Sequence, residues 1–291
     1  MDILIFFQQI QNPILDFLFE NFTHLVNEIV MVGIISIIYW CYSKKTAQLI
    51  AFSLFASGIV VQITKIICRV PRPWVLDNRI QPKPEILETA TGYSFPSGHT
   101  QNSTAFCNAS ASTTKHKGIK TVLLLIPIFV MVSRMYVGVH TPTDVLASYI
   151  IATAITYIVI KVFEKYSIKK IQTLSMIILI SSIISLVYTY YVVNTGISTF
   201  ELADDAAKIC GCGIGFSFGV YLETKYINFK EITSTRSRLI VGVLGIVGAL
   251  VLKLATGLLP DSVIFAALSY MLITFWISCA YPLIFTQFLK K

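Results

Sequence analysis

Three short segments of this chain hold residue types that could do chemistry together. KIICRVPRP (65–73) carries Lys65 and Arg72, SFPSGHT (94–100) carries Ser97, Gly98 and His99, and SRMYVGVHTPTD (133–144) carries Arg134, His140 and Asp144. Lys65, Arg72 and Arg134 are cations with no matching set of carboxylates in these segments. Such a surplus suits an anion, and a forked guanidinium suits phosphate oxygens. Gly98 allows close backbone approach, and Ser97 adds a hydroxyl at the expected start of a helix, where free N–H groups cradle phosphate. Asp144 follows His140 by one helical turn, and Pro142 between them suits the first helical position. An aspartate there can reach back to one ring nitrogen of His140, fix its tautomer and leave the other nitrogen as a nucleophile. His99, on another helix, is placed to protonate a leaving oxygen. Nucleophile, orienting carboxylate, acid and cationic clamp together describe phosphoryl transfer through a phosphohistidine. The clamp takes the role magnesium has elsewhere, so no metal and no cofactor are expected.

Taken singly, each residue has a plainer reading. Lys65 suits a lysine that snorkels from a helix end, and Asp144 suits a charge favoured by a helix dipole. Jointly, at these spacings, the plainer readings lose.

The elements that must carry these segments are membrane helices. The chain has 291 residues, 55% of them hydrophobic and 13% charged, against about 25% charged in a soluble domain. Apolar runs near the length needed to cross a bilayer place spans at about 25–43, 47–67, 99–114, 119–138, 143–163, 171–193, 206–223, 238–258 and 262–287. The expectation is an all-α polytopic membrane protein of about nine spans. The third run, HTQNSTAFCNASASTT, is polar and small and belongs inside a bundle. Residues 2–20 mix apolar clusters with Gln8, Gln9, Gln11, Asn12 and Asp16, reading as an interfacial amphipathic helix broken near Pro13. No basic leader precedes it, so it does not read as a signal peptide.

Basic residues set the expected orientation. Lys44, Lys45, Lys115, Lys117, Lys120, Lys161, Lys165, Lys169, Lys170, Lys225, Lys230, Arg236, Arg238, Lys290 and Lys291 fall after odd-numbered spans or at the C-terminus. By the positive-inside rule these connections are cytoplasmic, which puts both histidine segments on the outer face. The net charge of +8 then reflects topology, and no aromatic-plus-basic array points to nucleic acid. Six cysteines, most within apolar runs, read as small buried side chains, and Cys210-Gly-Cys212 lacks zinc-site spacing.

The set Lys65…Arg72-Pro73, Pro96-Ser97-Gly98-His99 and Ser133-Arg134…His140…Asp144 resembles the three-part signature of the type 2 phosphatidic acid phosphatase superfamily, related to the vanadium haloperoxidases. The resemblance covers about residues 1–165. It implies a catalytic helical bundle at the membrane surface that removes phosphate from lipid phosphates or diphosphates without metal. It implies that His140 is the nucleophile, Asp144 its partner and His99 the acid that later activates water. Lys65, Arg72, Ser97, Gly98 and Arg134 would bind phosphate, while Ser133 has no assigned role.

The expected domains are 1–165, catalytic, and 166–291, further membrane helices that pack on the bundle or form a homodimer contact. Glu201, Asp204 and Asp205 read as a solvated acidic outer loop. Trp74, Asp77, Asn78, Arg79, Lys83, Glu85 and Glu88, in the long 69–95 loop, are candidates to cover the mouth and influence head-group choice. An outward-facing site fits a polyprenyl diphosphate or glycerophospholipid phosphate substrate in a bacterial membrane. A lipid phosphotransferase uses the same intermediate and is the alternative. A transporter or scramblase fits poorly, because the charges gather at one surface and the two halves do not repeat.

Overall fold

A computed structural model describes residues 1–25, 28–82, 84–87, 90–232 and 234–289. Lys83, Glu88, Lys290, Lys291, the Glu85 side chain and residues 26–27 of the first expected span lie outside the described residues. Among those described there is no strand. The helices run α1 (Asp2–Gln9), α2 (Pro13–Leu25), α3 (Glu28–Cys41), α4 (Lys44–Cys68), the single turns α5 (Pro73–Leu76) and α6 (Pro84–Leu87), and α7 (Gly98–Thr113). They continue with α8 (Lys117–Tyr136), α9 (Pro142–Glu164), α10 (Ile168–Asn194), α11 (Phe200–Leu222), α12 (Thr235–Thr256), α13 (Val263–Phe275) and α14 (Tyr281–Leu289). A π-turn, Glu223–Ile227, extends α11, and another, Trp276–Ala280, joins α13 to α14.

Local chemistry sets several helix starts. Ser43 and Ser262 accept from backbone N–H groups of the first turns of α4 and α13. Thr141 and Asp144 form a reciprocal capping box on α9, with Pro142 at its first position. Among the described residues, six runs are long and apolar enough to cross a membrane: α4, α8, α9, α10, α12 and α13 through α14. Nine crossings were expected, and the other three regions are helical but differ. α3 has 14 residues and α7 has 16, and the start of α11 carries Glu201, Asp204, Asp205 and Lys208. α7 packs among α4, α8 and α9 and buries Thr100, Gln101, Ser103 and Thr104. A helix sheathed by others needs no apolar exterior, which is why hydropathy alone misjudges it.

The C-terminal helices lock onto the first half. Gly211, Gly215 and Gly219 form one stripe on α11, where added Cβ atoms would stand 2.1 Å from the Ala267 carbonyl, 2.1 Å from that of Met271 and 1.9 Å from Ser278 Oγ. Only glycine permits so close an approach to α13 and the following π-turn. Phe216 of α11 meets Phe52 and Phe55 of α4 at ring separations of 5.2 Å. The Trp40 indole donates to the Ile277 carbonyl at 2.9 Å, and buried Lys44 donates to Glu223 at 2.9 Å. The second half therefore packs against the bundle.

Residues 2–20 fold as α1 and α2 with the break before Pro13, as the sequence indicates. Phe6, Ile14 and Phe17 are exposed, while Phe19 stacks on Phe129. The Ser133 hydroxyl donates to the Phe19 carbonyl at 2.8 Å, and Tyr136 Oη donates to Asp16 at 2.8 Å. Ser133, without an assigned role in the sequence, thus ties α2 to α8.

Candidate active site

Four helix ends meet at one end of the bundle: the C-terminal ends of α4 and α8 and the N-terminal ends of α7 and α9. Lys65 sits in the last turn of α4 and Arg134 in the last turn of α8, where the helix dipole favours a cation. Between α6 and α7 the segment 91–93 turns its carbonyls inward. The Lys65 ammonium donates to the Tyr93 carbonyl at 3.0 Å. Arg72 donates through Nε to the Gly92 carbonyl at 3.0 Å and through Nη2 to that of Thr91. Gly92 adopts φ +67, a left-handed conformation natural to glycine.

Arg72 Nη1 donates to the Val139 carbonyl at 3.1 Å and lies 3.1 Å from His140 Nε2. A guanidinium has no acceptor, so Nε2 carries the lone pair and the proton of the neutral ring sits on Nδ1. That nitrogen faces Asp144 Oδ2 at 3.5 Å, a charged-group contact longer than a hydrogen bond. The direct orienting bond expected from the sequence is therefore not closed. Asp144 Oδ2 instead accepts from Ser94 Oγ at 2.6 Å and from the Thr141 N–H at 2.8 Å. Ser94 is a site residue that spacing could not reveal, since it lies 50 positions from its partner.

Ser97 caps α7, accepting from the Thr100 hydroxyl at 3.1 Å, and its N–H donates to the Asp144 carbonyl at 3.2 Å. The Gly98 and His99 N–H groups are the orphan donors of that helix start. A Cβ at Gly98 would meet only Gln62 Nε2, at 3.5 Å. His99 is half-buried, within electrostatic reach of Arg134, His140, Lys65 and Arg72. Arg134 is 1% exposed, and none of its guanidinium nitrogens has a hydrogen-bond partner among the described residues. Burial first, then the charges of Arg72, Lys65 and Arg134, hold the His140 imidazole well below the usual histidine range, so it stands neutral.

All eight predicted residues thus converge on one cationic cup. Residues 46–168, which contain every one of them, match the family model described as the PAP2 superfamily, and residues 207–290 match the PAP2 superfamily phosphatase transmembrane extension. The chain belongs to the PAP2 superfamily. Among curated relatives, an undecaprenyl-diphosphatase of Sulfolobus acidocaldarius is 27% identical over 136 residues, spanning 45% of this chain and 61% of that protein. Phosphatidylglycerophosphatase B of Bacillus subtilis is 26% identical over 162 residues, spanning 52% of this chain and 76% of that protein. The crystal structure of Aquifex aeolicus LpxE aligns with a TM-score of 0.48 at 22% identity, covering 55% of this chain and 93% of that one.

This PAP2 chain departs from its sequence reading around the cup. Glu201, Asp204 and Asp205 lie in the opening turns of α11, not in a loop. Asp205, half-exposed, also makes a specific contact: its carboxylate accepts from Thr91 Oγ1 at 3.0 Å. Tyr93 Oη pairs with Ser198 Oγ at 3.1 Å, and a Cβ at Gly92 would lie 3.2 Å from the Leu202 carbonyl. The start of α11 therefore braces the carbonyls that aim Lys65 and Arg72. In the 69–95 loop, Asp77 and Arg79 pair with each other at 2.8 Å, and the Trp74 ring stands 5.8 Å from the Arg72 guanidinium.

Proposed function

We propose that the chain is a metal-independent lipid phosphatase that works through a phosphohistidine. The observation that carries this reading is Arg134, a buried cation without a partner, opening onto the same cup as a neutral imidazole whose Nε2 holds its lone pair. A buried charge is tolerated only when something pairs with it. A phosphoryl group supplies three oxygens for Arg134, for the two free Lys65 N–H bonds and for the Gly98 and His99 amides. The Ser97 hydroxyl, whose oxygen serves the helix cap, donates to the same group. The Arg72 Nη1 hydrogen now on Nε2 turns to the phosphate, which frees the lone pair for attack.

His140 Nε2 then bonds to phosphorus as the bond from phosphorus to the leaving oxygen breaks. The leaving oxygen is an alcohol oxygen in a monoester or a phosphate oxygen in a diphosphate. His99 protonates it. The Nδ1 proton of the ring, now cationic, faces the Asp144 carboxylate. In the second step His99 takes a proton from water, the hydroxide oxygen attacks phosphorus, and the P–N bond breaks. Inorganic phosphate leaves and His140 is regenerated. Electrostatic stabilisation and positioning carry nearly all of the catalysis.

The names of the relatives, an undecaprenyl-diphosphatase and a phosphatidylglycerophosphatase, make undecaprenyl diphosphate and phosphatidylglycerophosphate the first substrates to try. The site faces away from the cytoplasm in this reading. The Lys44, Lys117, Lys165 and Arg238 clusters lie at helix ends opposite the cup, which supports that side under the positive-inside rule. The test is phosphate release from a panel of lipid phosphates and diphosphates by the purified chain in detergent with excess EDTA. Release that persists in chelator is expected. No release from any lipid, or loss of release with EDTA, overturns the proposal. Membrane-impermeant thiol labelling of Asp77→Cys in intact cells tests the side, with labelling from outside expected.

A further inference from the structure

A groove runs down the bundle beside the cup, between α3, α4 and α7 on one side and α11, α12 and α13 on the other, enclosing about 1210 Å³ including its open side. We propose that it holds an apolar chain of the lipid whose phosphate occupies the cup, so that residues 207–290 supply the tail-binding half of the substrate site. The inference rests on the phosphatase reading for the head group and deepens it.

Polarity along the groove is graded. The charged and amide groups Glu28, Gln62, Asn102, Asp205, Lys208 and Lys253 lie at one end, while Phe55, Ile209, Ile246, Leu250, Ile273 and Ile277 form most of the walls below, with the hydroxyls of Ser36 and Thr274 among them. Asp205 to Cys212 on α11 and Lys253 to Ile246 on α12 each span seven steps of helix, or roughly 10 Å at 1.5 Å per residue. That is an amphipathic slot open to the bilayer, with its apolar part at membrane depth, where water is a poor occupant and hydrocarbon a good one.

Continuity with the cup argues for the substrate's own chain. Gly98, Gln101 and Asn102 share one face of α7, and Gln101 and Asn102 line the groove. A Cβ at Gly98 would stand in ordinary contact with Gln62 Nε2, 3.5 Å away, and Gln62 is another lining residue. Gly98, at the start of α7, thus stands between the cup and the lining residues Gln62, Gln101 and Asn102. At the same level Asp205 lines the groove and holds Thr91, whose carbonyl holds Arg72. A phosphate in the cup leaves its chain directed past Gly98 into the slot.

The test has two arms, both on the full chain in lipid nanodiscs. A long-chain phosphatidic acid with a diazirine near the chain end is irradiated and the labelled peptides are mapped. Label on α11, α12 or α13 is expected, and label confined to α1, α2, α8 or α9 overturns the proposal. In the second arm Ala249→Phe, which fills the groove from α12, is assayed with undecaprenyl and geranyl diphosphates and with dioleoyl- and dibutyryl-phosphatidic acids. Each methylene buried is worth roughly fourfold in affinity, so kcat/KM for the long chains should fall about tenfold or more, with the short chains within about twofold. Leu250→Trp, at a half-exposed lining position, repeats the arm should the first variant misfold, which loss of short-chain turnover would reveal. Equal effects on long and short chains in a folded variant, or none on either, overturn the groove. A wild-type chain that releases no phosphate but labels on α11–α13 sinks the phosphatase reading and leaves the groove standing.

Discussion

Buried polar groups fare differently in the C-terminal helices and at the open end of the first half, although Ser217 Oγ and Glu223 Oε2 of the former also lack a partner among the described residues. In the C-terminal helices the buried hydroxyls of Ser175, Ser182, Thr189, Thr274 and Ser278 donate back to carbonyls one turn earlier, and Glu223 is paired with Lys44. These groups are spent on the fold. At the open end of the first half, Arg134 is buried with every donor unused and His140 Nδ1 lacks a close acceptor among the described residues. Native proteins rarely leave buried donors unmade, so the contrast separates a region built for packing from one built for a ligand. The division is not complete, because Asp205 and Ser198 of the packing half reach the carbonyls that hold Lys65 and Arg72.

The contrast breaks most sharply at the proposed nucleophile. His140→Ala should lower phosphate release by about a thousandfold or more, read as kcat on the best lipid substrate. A loss under about tenfold would remove His140 from the reaction. Next, Arg134→Met should lower kcat/KM by about a hundredfold while leaving the thermal midpoint unchanged or raised, because it deletes an unpaired buried charge. A fall in both would make Arg134 a structural residue like those of the second half.

A smaller effect sharpens the boundary between the halves. Asp205→Ala should raise KM by about fivefold with kcat little changed, since in the proposed mechanism a lost brace loosens the phosphate-binding cations without touching the attacking nitrogen. In a double-mutant cycle with Thr91→Val, a coupling of about 0.5–1.5 kcal/mol is expected, and strict additivity would show that α11 does not reach the site energetically. The smallest effect is in pH. Burial and the neighbouring cations hold the His140 pKa well below the usual histidine range, so the acid limb of kcat/KM due to this group should lie well below the ordinary histidine value of about 6.5. By linkage, as pH falls below about 6.5 the unfolded chain binds a proton that the folded chain refuses, and stability should decline there.

Much of the site was legible because its parts are local. The Pro142 start, the one-turn spacing of His140 and Asp144, and Ser97 at a helix cap follow from short-range helix chemistry. Ser94, Thr91 and Asp205 were not legible. A lone serine, threonine or aspartate carries no spacing signal when its partner is 50 or 114 positions away. The α11 glycine stripe was visible in the sequence as Gly-xxx-Gly-xxx-Gly, but only the close carbonyls of α13 show what it is for. The expected count of nine spans exceeded the six that meet length and composition because a sheathed polar helix such as α7 follows neither rule for lipid exposure.

The sequence by itself determined the helices, the membrane class and the set of groups gathered in the cup, since periodicity, capping and charge act within a few residues. Tertiary packing alone decided that Arg72 is held by carbonyls while Arg134 is not, that Asp144 answers to Ser94, and that an apolar slot lies between the halves. Those outcomes depend on which distant backbone arrives beside each side chain, and a hydrogen bond or a cavity exists only when it does.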